Sequence, residues 1–464
     1  MKTTKTTLTE KIGYSVASLG DSSYYGFISV FLLFFLTTIA GISPAVAGTI
    51  SAIGALWNAI FNPIMGYVAD RVFTRFGRRR PVIFAFALPM VITSFLLFTN
   101  INLPDGIKPI YYGIMLMIYW SCYTGFFVPY LALGAEYTSD YDDRTVLRLF
   151  SSFFNMIGTL FSMVIPNLIV SFFQNQGMTP SQSWAMTGLV LGLVAATSVL
   201  LTVATSKKKD PPCKKPEDFE KIPLQKAIVD IFREYISVAK LQPMRYLIVA
   251  NLCGLIIFTM LMSNVNYYFI YVKGLSSVEA SSWLLLRCFI GIGLIPLSAK
   301  LLLKFDKRET LIGYYIIGAI GLIILRFVSL PLAMELGLYM LFLSVCTSVY
   351  WQIMPGIFYD MCEYDRVKNG KMRTATIVSF QGLVEALAAG IGGQLLGLIL
   401  DAGGFDGAAA VQSETAITWI ANSATLIPVG FVVVSCIALY KYPINKKVYE
   451  ELLAEASQRE TESI

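Results

Sequence analysis

The feature that most constrains this chain is a series of apolar stretches, each long enough to cross a lipid bilayer as a helix. A membrane-spanning helix needs about 20 apolar residues. Lipid offers the backbone no hydrogen-bond partners, so such segments are expected to be helical. Twelve segments meet this length, at residues 14–40, 46–69, 81–101, 111–135, 149–174, 185–205, 243–272, 278–303, 310–329, 332–357, 375–400 and 416–441. We number them spans 1 to 12 and predict an all-α membrane protein.

The composition agrees with a protein embedded in lipid. Of 464 residues, 56% are hydrophobic and 14% are charged, which is unlike a soluble globular domain. The net charge of +6 comes from short basic clusters between apolar runs, so we expect the lipid bilayer, and not nucleic acid, as a partner. The chain has no histidine, and its seven cysteines form no CxxC motif. We therefore predict no metal site, and expect proton chemistry to use carboxylates.

The basic clusters also predict how the chain is oriented. Loops that follow even-numbered spans are rich in lysine and arginine, whereas the intervening loops carry almost none. Because basic loops remain on the cytoplasmic side, both termini and the central loop are expected there, in a multi-pass protein of the cell inner membrane.

The central loop divides the spans into two sets of six. Residues 206–242 are rich in charge and proline, as in a flexible linker, and end in a segment with an apolar helical face that predicts a helix on the membrane surface. We expect a first bundle at 1–205, a second at 243–441 and a cytoplasmic tail at 442–464. Two six-helix halves around a central site are typical of secondary transporters.

A dense arginine patch follows span 2. The stretch "GYVADRVFTRFGRRR" places Gly66 where helices can approach closely, Asp70 at the helix end, and arginines in the loop. Asp70 is positioned to pair with Arg71 or Arg75, or to face the N-terminus of span 11. This cluster predicts a latch between the two halves; the alternative is that the charges only set the topology.

Three motifs in both halves resemble a known family. They are the arginine patch, "VPYLALGAEYTSDYDDRTVL" after span 4, and "YWQIMPGIFYDMCEYDRVKNGKMRTATIVSF" across spans 10 and 11. They are similar to the glycoside-pentoside-hexuronide cation symporters of the major facilitator superfamily. The resemblance implies the major facilitator fold, with alternating access and solute uptake coupled to sodium or a proton. The cytoplasmic gate is expected to comprise Gly66, Asp70, Arg71, Arg75, Gly77, Arg78, Glu136, Arg144, Asp360 and Arg373.

The cation site implied by the resemblance is altered. Where relatives carry two aspartates on span 2, this chain has Asn58 and Asn62; the span 4 threonine is Thr124. Span 11 lacks the relatives' lysine, and its ionisable residue is Glu385. Neutral amides give up the attraction that holds a hard cation. We therefore expect a proton rather than sodium as the coupling ion, with Glu385 carrying it; alternatively, Glu385 only hydrogen-bonds a neighbouring helix. No other cofactor is predicted.

The implied substrate site is altered as well. Trp351 matches a tryptophan that stacks on the sugar ring, and Asp21 lies within one position of an aspartate that binds hydroxyls. Phe127 stands at a second aspartate's position, and Ser151 or Ser152 at that of an arginine. Arg287, midway along span 8, is expected to bind an anionic group on the solute, or else to pair with Asp21 or Glu385. The predicted substrate-binding set is Asp21, Tyr25, Tyr123, Phe127, Tyr130, Asn266, Arg287, Trp351 and Gln352.

Three functions remain open from the sequence. The first is proton-coupled transport of a glycoside or acidic sugar. The second keeps the carrier but gives it an amphipathic non-sugar solute, such as a steroid or lysolipid, which Phe127 and the serines favour. The third is a solute sensor or membrane enzyme, against which the absence of histidine and of a soluble domain argues. We expect a monomer whose partners are a small-molecule solute and the bilayer.

Overall fold

A computed structural model gives the structure of the chain. It describes residues 6–451 except 73, 75, 139–140, 209–223, 371–372, 410 and 449. The structure also leaves some side chains within helices undescribed, among them those of Asp70, Glu136 and Arg144.

The prediction of twelve helical spans is confirmed in the described part of the chain. Spans 1 to 6 are Leu8–Ser15 with Ala17–Phe34 and a π-helical end at Phe35–Ile39, Pro44–Asp70, Arg80–Leu97, Lys108–Glu136, Tyr141–Met163 with Ile165–Asn175, and Pro180–Thr205. A surface helix, Leu224–Ala239, follows. Spans 7 to 12 are Gln242–Tyr267 with a π-helical end at Tyr268–Val272, Ser277–Lys304, Lys307–Phe327, Leu332–Asn369, Thr374–Ala402, and Glu414–Thr425 with Ile427–Lys441.

Aromatic side chains fill the core of the first bundle. Phe27 of span 1 stacks on Phe98 with ring centroids 4.1 Å apart, and Trp184 of span 6 lies 6.1 Å from Phe98. Nearby, Tyr24 stacks on Tyr119 of span 4 at 3.8 Å. These contacts join spans 1, 3, 4 and 6 into one packed unit, so span 1 is rigidly positioned in the first bundle.

The two bundles meet at the face opposite the basic loops, which we call the distal face. There Thr37 of span 1 and Tyr267 of span 7 share a 2.6 Å hydrogen bond, and Ser263 donates to the carbonyl of Ser29 at 2.9 Å. Span 11 approaches span 2 so closely that a Cβ on Gly397 would lie 2.4 Å from the carbonyl oxygen of Pro44. Only glycine fits this contact, and the distal face is closed.

At the other face, which we call the basic face, ion pairs lie within each half. Lys11 of span 1 pairs with Asp143 of span 5 at 2.6 Å. Burial alone would raise the pKa of Asp143, but hydrogen bonds from Lys11 and Thr6 hold that pKa well below its usual range. In the second half, Lys307 of span 9 contacts Asp360 of span 10 at 2.7 Å.

The surface helix is docked on the start of span 11. Thr376 donates to Glu234 at 2.7 Å, and Tyr235 packs edge-on against Phe380 at 5.3 Å. Arg373 donates to Ser237 at 3.0 Å and forms two hydrogen bonds to the fully buried Asp365, of 2.6 and 2.8 Å. This fork raises the pKa of Arg373. A helix therefore lies where the sequence predicts one, and it packs against span 11; its position on the membrane surface stays a prediction.

Candidate functional site

Two carboxyl groups lie inside the membrane region, one from each half of the molecule. Asp21 of span 1 accepts a 2.8 Å hydrogen bond from the hydroxyl of Tyr123, on span 4. Glu385 of span 11 accepts a 3.4 Å hydrogen bond from the hydroxyl of Tyr25. Asp21 and Tyr25 are one helical turn apart and share a face of span 1. We call Asp21, Tyr25, Tyr123 and Glu385 the acid cluster.

The acid cluster has no counter-charge among the residues that the structure describes. The ion pairs of that part of the chain include neither Asp21 nor Glu385. Both side chains are half-buried, and the rings of Tyr25 and Tyr123 lie 5.8 Å apart between them. Unpaired carboxylates are costly at this depth unless they are protonated or bind a cation.

The amides of span 2 form a separate cluster. Asn58 is buried, and its side-chain oxygen accepts hydrogen bonds from Thr124 at 2.7 Å and from the amide of Asn62 at 3.1 Å. The same Asn62 amide donates to the backbone oxygen of Asn58 at 2.8 Å. The predicted trio of Asn58, Asn62 and Thr124 is thus brought together by hydrogen bonds that converge on the oxygens of Asn58.

Arg287 reaches neither carboxylate in this conformation. Its guanidinium donates to the hydroxyl of Thr347 on span 10 at 3.0 Å and to the sulfur of Met163 on span 5 at 3.3 Å. The side chain is 5% exposed, and its Nε has no hydrogen-bond partner. The expected alternative, a salt bridge to Asp21 or Glu385, is therefore absent among the described ion pairs.

Aromatic side chains flank these groups. Trp351 of span 10 is 39% exposed and packs edge-on against Phe258 of span 7 at 5.7 Å. Its neighbour Gln352 is partly buried. Phe127 stacks on Tyr123 of the acid cluster with centroids 5.2 Å apart. An exposed indole beside half-buried polar groups is a suitable surface for a sugar ring.

Two predicted substrate residues lie elsewhere. Tyr130 is buried against Tyr14, at 4.7 Å, and its hydroxyl shares a 2.8 Å hydrogen bond with Ser18 between spans 1 and 4. Asn266 is buried where spans 5 and 7 meet and accepts a hydrogen bond from Asn167 at 3.4 Å. In this conformation Tyr130 serves packing, and Asn266 joins the two halves.

The predicted gate is only partly described. Arg75 and the side chains of Asp70, Glu136 and Arg144 lie outside the described residues. Gly66 makes no close approach, since a Cβ there would meet Val128 at 3.9 Å, whereas Gly77 turns with a φ of +110°. Arg71 lies 3.5 Å above the ring of Tyr67. Arg78 is partly buried in the loop. Asp360 pairs with Lys307 and Arg373 pairs with Asp365, both within the second half, so the latch between halves stays a prediction.

Several residues of the site were not predicted from the sequence. Thr347 and Met163 hold Arg287, and Tyr350 donates a hydrogen bond to Asn251 beside Trp351. The sequence could have identified Thr347, because it precedes Trp351 by one helical turn and lies on the same face of span 10. No local pattern points to Met163, because it meets Arg287 across more than 100 residues of chain.

Comparison with known proteins gives the family. The sequence matches the family described as MFS/sugar transport protein over residues 13–446. It is 26% identical to the uncharacterized symporter YnaJ of Bacillus subtilis, over 98% of this chain and 96% of that protein. It is 24% identical to an isoprimeverose transporter of Lactiplantibacillus pentosus, over 97% and 91%. A glucuronide carrier protein homolog of Escherichia coli is 23% identical, over 97% and 95%.

Solved structures agree on the fold. The nucleoside transporter NupG superimposes with a TM-score of 0.66 at 14% identity, covering 93% of this chain and 99% of that one. A D-xylose-proton symporter does so with a TM-score of 0.62 at 15% identity, covering 94% and 97%. These proteins are transporters and not enzymes. The chain therefore belongs to the MFS/sugar transport protein family, among the glycoside-pentoside-hexuronide cation symporters of the major facilitator superfamily.

Proposed function

We propose that the protein is a proton-coupled symporter that moves a glycoside or an acidic sugar by alternating access. The relatives named above as an isoprimeverose transporter and a glucuronide carrier homolog support a sugar solute. The exposed Trp351 supports it too, because its indole offers a stacking face to a pyranose ring.

The observation that carries the proton coupling is the hydrogen bond between Tyr25 and Glu385. It joins span 1 of the first half to span 11 of the second, and so it changes when the halves rock. A protonated Glu385 is neutral and can cross between states at low cost, whereas a charged one needs water. Proton binding at Glu385 therefore biases which face is open.

The basic loops support the orientation. By the positive-inside rule the basic face is cytoplasmic, and both termini lie on that side of an inner membrane. The distal face, closed here, then faces outward. This conformation, with its outward face closed, is one of the two states that alternating access requires.

The test uses purified protein in sealed vesicles with methyl β-glucoside, methyl β-xyloside and methyl β-glucuronide as probes. A vesicle interior that is more alkaline than the medium is expected to drive accumulation, whereas a sodium gradient at equal pH is not. Glu385→Gln should lose accumulation but retain exchange of labelled for unlabelled probe, because exchange needs no net proton movement. Glu309→Gln, an exposed glutamate at the start of span 9, is the matched control and should behave as wild type. Accumulation that survives in Glu385→Gln would falsify the role of Glu385.

A second candidate solute is an amphipathic non-sugar, which Phe127 favours because its ring stacks beside the acid cluster. The same assay includes a steroid and a lysolipid. If one of these raises the thermal stability of the protein and no sugar does, the solute is an amphiphile, and the proton coupling is then tested with it.

A further inference from the structure

Arg287 is a buried cation whose partners are weak. Thr347 offers it a neutral hydroxyl, and Met163 offers a thioether, which is a poor hydrogen-bond acceptor. Its Nε is buried without a partner, although a guanidinium presents five donors in a rigid fork. A charge at this depth normally faces a counter-charge or a cavity. The described ion pairs supply no such counter-charge.

The position of Arg287 places it between the two halves and beside the aromatic platform. Met163 belongs to the first half and Thr347 to the second, so the guanidinium spans their junction. Thr347 and Trp351 are four residues apart on span 10, hence on one face and separated by a rise of roughly 5.4 Å along the axis. That rise is comparable to the width of a hexose ring. A sugar stacked on Trp351 therefore has a substituent within reach of Arg287.

A second buried polar group without a hydrogen-bond partner supports the presence of a ligand at this depth. Tyr339 is fully buried on span 10, two turns before Thr347, and its hydroxyl has no hydrogen-bond partner. It interacts electrostatically with Arg287. Two unsatisfied donors near one another favour an acceptor that is charged and has more than one oxygen.

We infer that Arg287 is an anion-binding subsite, and that the solute is a sugar bearing a carboxylate or a sulfonate, whose ring stacks on Trp351. The inference rests on the proposed function, because it assumes that the cleft holds a sugar. The anion's oxygens take the two-pronged hydrogen bonds of the guanidinium and displace the Met163 sulfur, a weak and flexible contact. Solute binding thereby exchanges a contact between the halves for a contact to the solute.

The experiment compares probes that differ in one charged group. Methyl β-glucuronide is paired with methyl β-glucoside, and methyl α-sulfoquinovoside with methyl α-glucoside. Binding to full-length protein is measured by thermal shift and by titration calorimetry in wild type, Arg287→Gln and Arg287→Lys. Arg326→Gln is the matched control, because Arg326 hydrogen-bonds Asn422 outside the cleft.

We expect at least one anionic probe to bind more tightly than its neutral partner. Arg287→Gln should weaken the binding of that anionic probe by about 10- to 100-fold, the size expected for charged hydrogen bonds. The affinity for the neutral probe should not change. The affinity of Arg287→Lys for the anionic probe should lie between those of wild type and Arg287→Gln, since lysine retains the charge but lacks the forked guanidinium. Without ligand, Arg287→Gln should be at least as stable as wild type, because it removes an unpaired buried charge.

Three results overturn the inference: neither anionic probe binds, each anionic probe binds no better than its neutral partner, or Arg287→Gln weakens both members of a pair equally. Failure of the proposed function looks different. If neutral sugars bind and are accumulated with protons regardless of Arg287, the symporter stands and the anion subsite does not. If no sugar binds at all, both are wrong.

Discussion

At the scale of single residues, the amides of span 2 distinguish this protein from the pattern of its family. Thr124 and Asn62 both donate to the side-chain oxygen of Asn58, so the oxygen that would face a sodium ion already accepts two hydrogen bonds. The negative charge of the region lies instead on Asp21 and Glu385, one from each half. This arrangement supports the proposed coupling to a proton.

Restoring the family's carboxylates is expected to create a response to sodium. In Asn58→Asp with Asn62→Asp, two carboxylates one helical turn apart lack a cation, and sodium should relieve their repulsion. The thermal stability of the double variant should rise with sodium chloride but not with choline chloride, while wild type responds to neither. Asn175→Asp, on an exposed amide at the end of span 5, serves as the control. A wild-type protein that sodium stabilises as strongly as the double variant contradicts this view of the site.

The sequence predicts residues of the candidate site only where an ionisable side chain lies inside an apolar span, or where the spacing from a family motif identifies a position. Glu385 and Arg287 stand out because ionisable side chains are rare inside apolar spans, and Trp351 because its spacing from the "YDMCEY" motif matches the pattern of the family that the sequence resembles. The pairing of Tyr25 with Glu385 joins residues 360 positions apart, and that of Arg287 with Met163 depends on how spans 5 and 8 pack. No periodicity within one helix encodes contacts between helices. The resemblance to the family could therefore identify these residues but not their partners.

At the scale of helices, hydropathy located every span but not every end. Span 10 continues to Asn369, well beyond its apolar part, because its polar last turns pack on protein and end at Gly370 in a left-handed turn with φ +63°. Span 5 breaks at Val164, just before Pro166, which sits in the first turn of the next helical segment. Hydropathy measures contact with lipid, and these features depend on contact with other helices.

Span 11 offers a test of how its helix contacts close the distal face. Gly397→Ala places a methyl group 2.4 Å from the carbonyl oxygen of Pro44, whereas Gly382→Ala on the same helix meets nothing within 4 Å. Alanine improves helix propensity by about 1 kcal/mol at either site. We therefore expect the control to equal or exceed wild type in apparent melting temperature. Gly397→Ala should fall below it, since overpacking costs about 1–3 kcal/mol. Equal melting temperatures for the two variants would show that spans 2 and 11 are not in tight contact.

At the scale of the whole molecule, the two faces are built differently. The distal face joins the halves through hydroxyls, glycines and backbone, as at Thr37 with Tyr267 and at Gly397 with Pro44. On the basic face, the described ion pairs join helices of one half, as in Lys307 with Asp360 and Arg373 with Asp365. Each of these ion pairs joins helices of one half, so it can persist while the halves move relative to each other.

Rocking between the faces predicts opposite distance changes. Spin labels at Phe76→Cys and Lys368→Cys report on the basic face, and labels at Gln176→Cys and Val411→Cys on the distal face, in protein whose native cysteines are replaced. All four positions are exposed. Saturating solute at acidic pH should shorten the first distance and lengthen the second, as measured by pulsed dipolar spectroscopy. Adding Glu385→Gln, which mimics the protonated form, should produce the same shift with less dependence on pH. Distances that change in the same direction at both faces are incompatible with alternating access.

The way in which the distal face is closed has a consequence for the media in which the protein can work. At 0.1 M salt, the interaction between exposed charges decays over a distance of about 10 Å. Salt leaves van der Waals packing and buried pairs of hydroxyl groups almost unchanged. The surroundings of a cell vary in salinity far more than its cytoplasm. A seal made from glycines and hydroxyls on the side we assign to the exterior holds equally well in fresh and in saline media. The distance between labels at Gln176→Cys and Val411→Cys should accordingly remain the same from low to high salt.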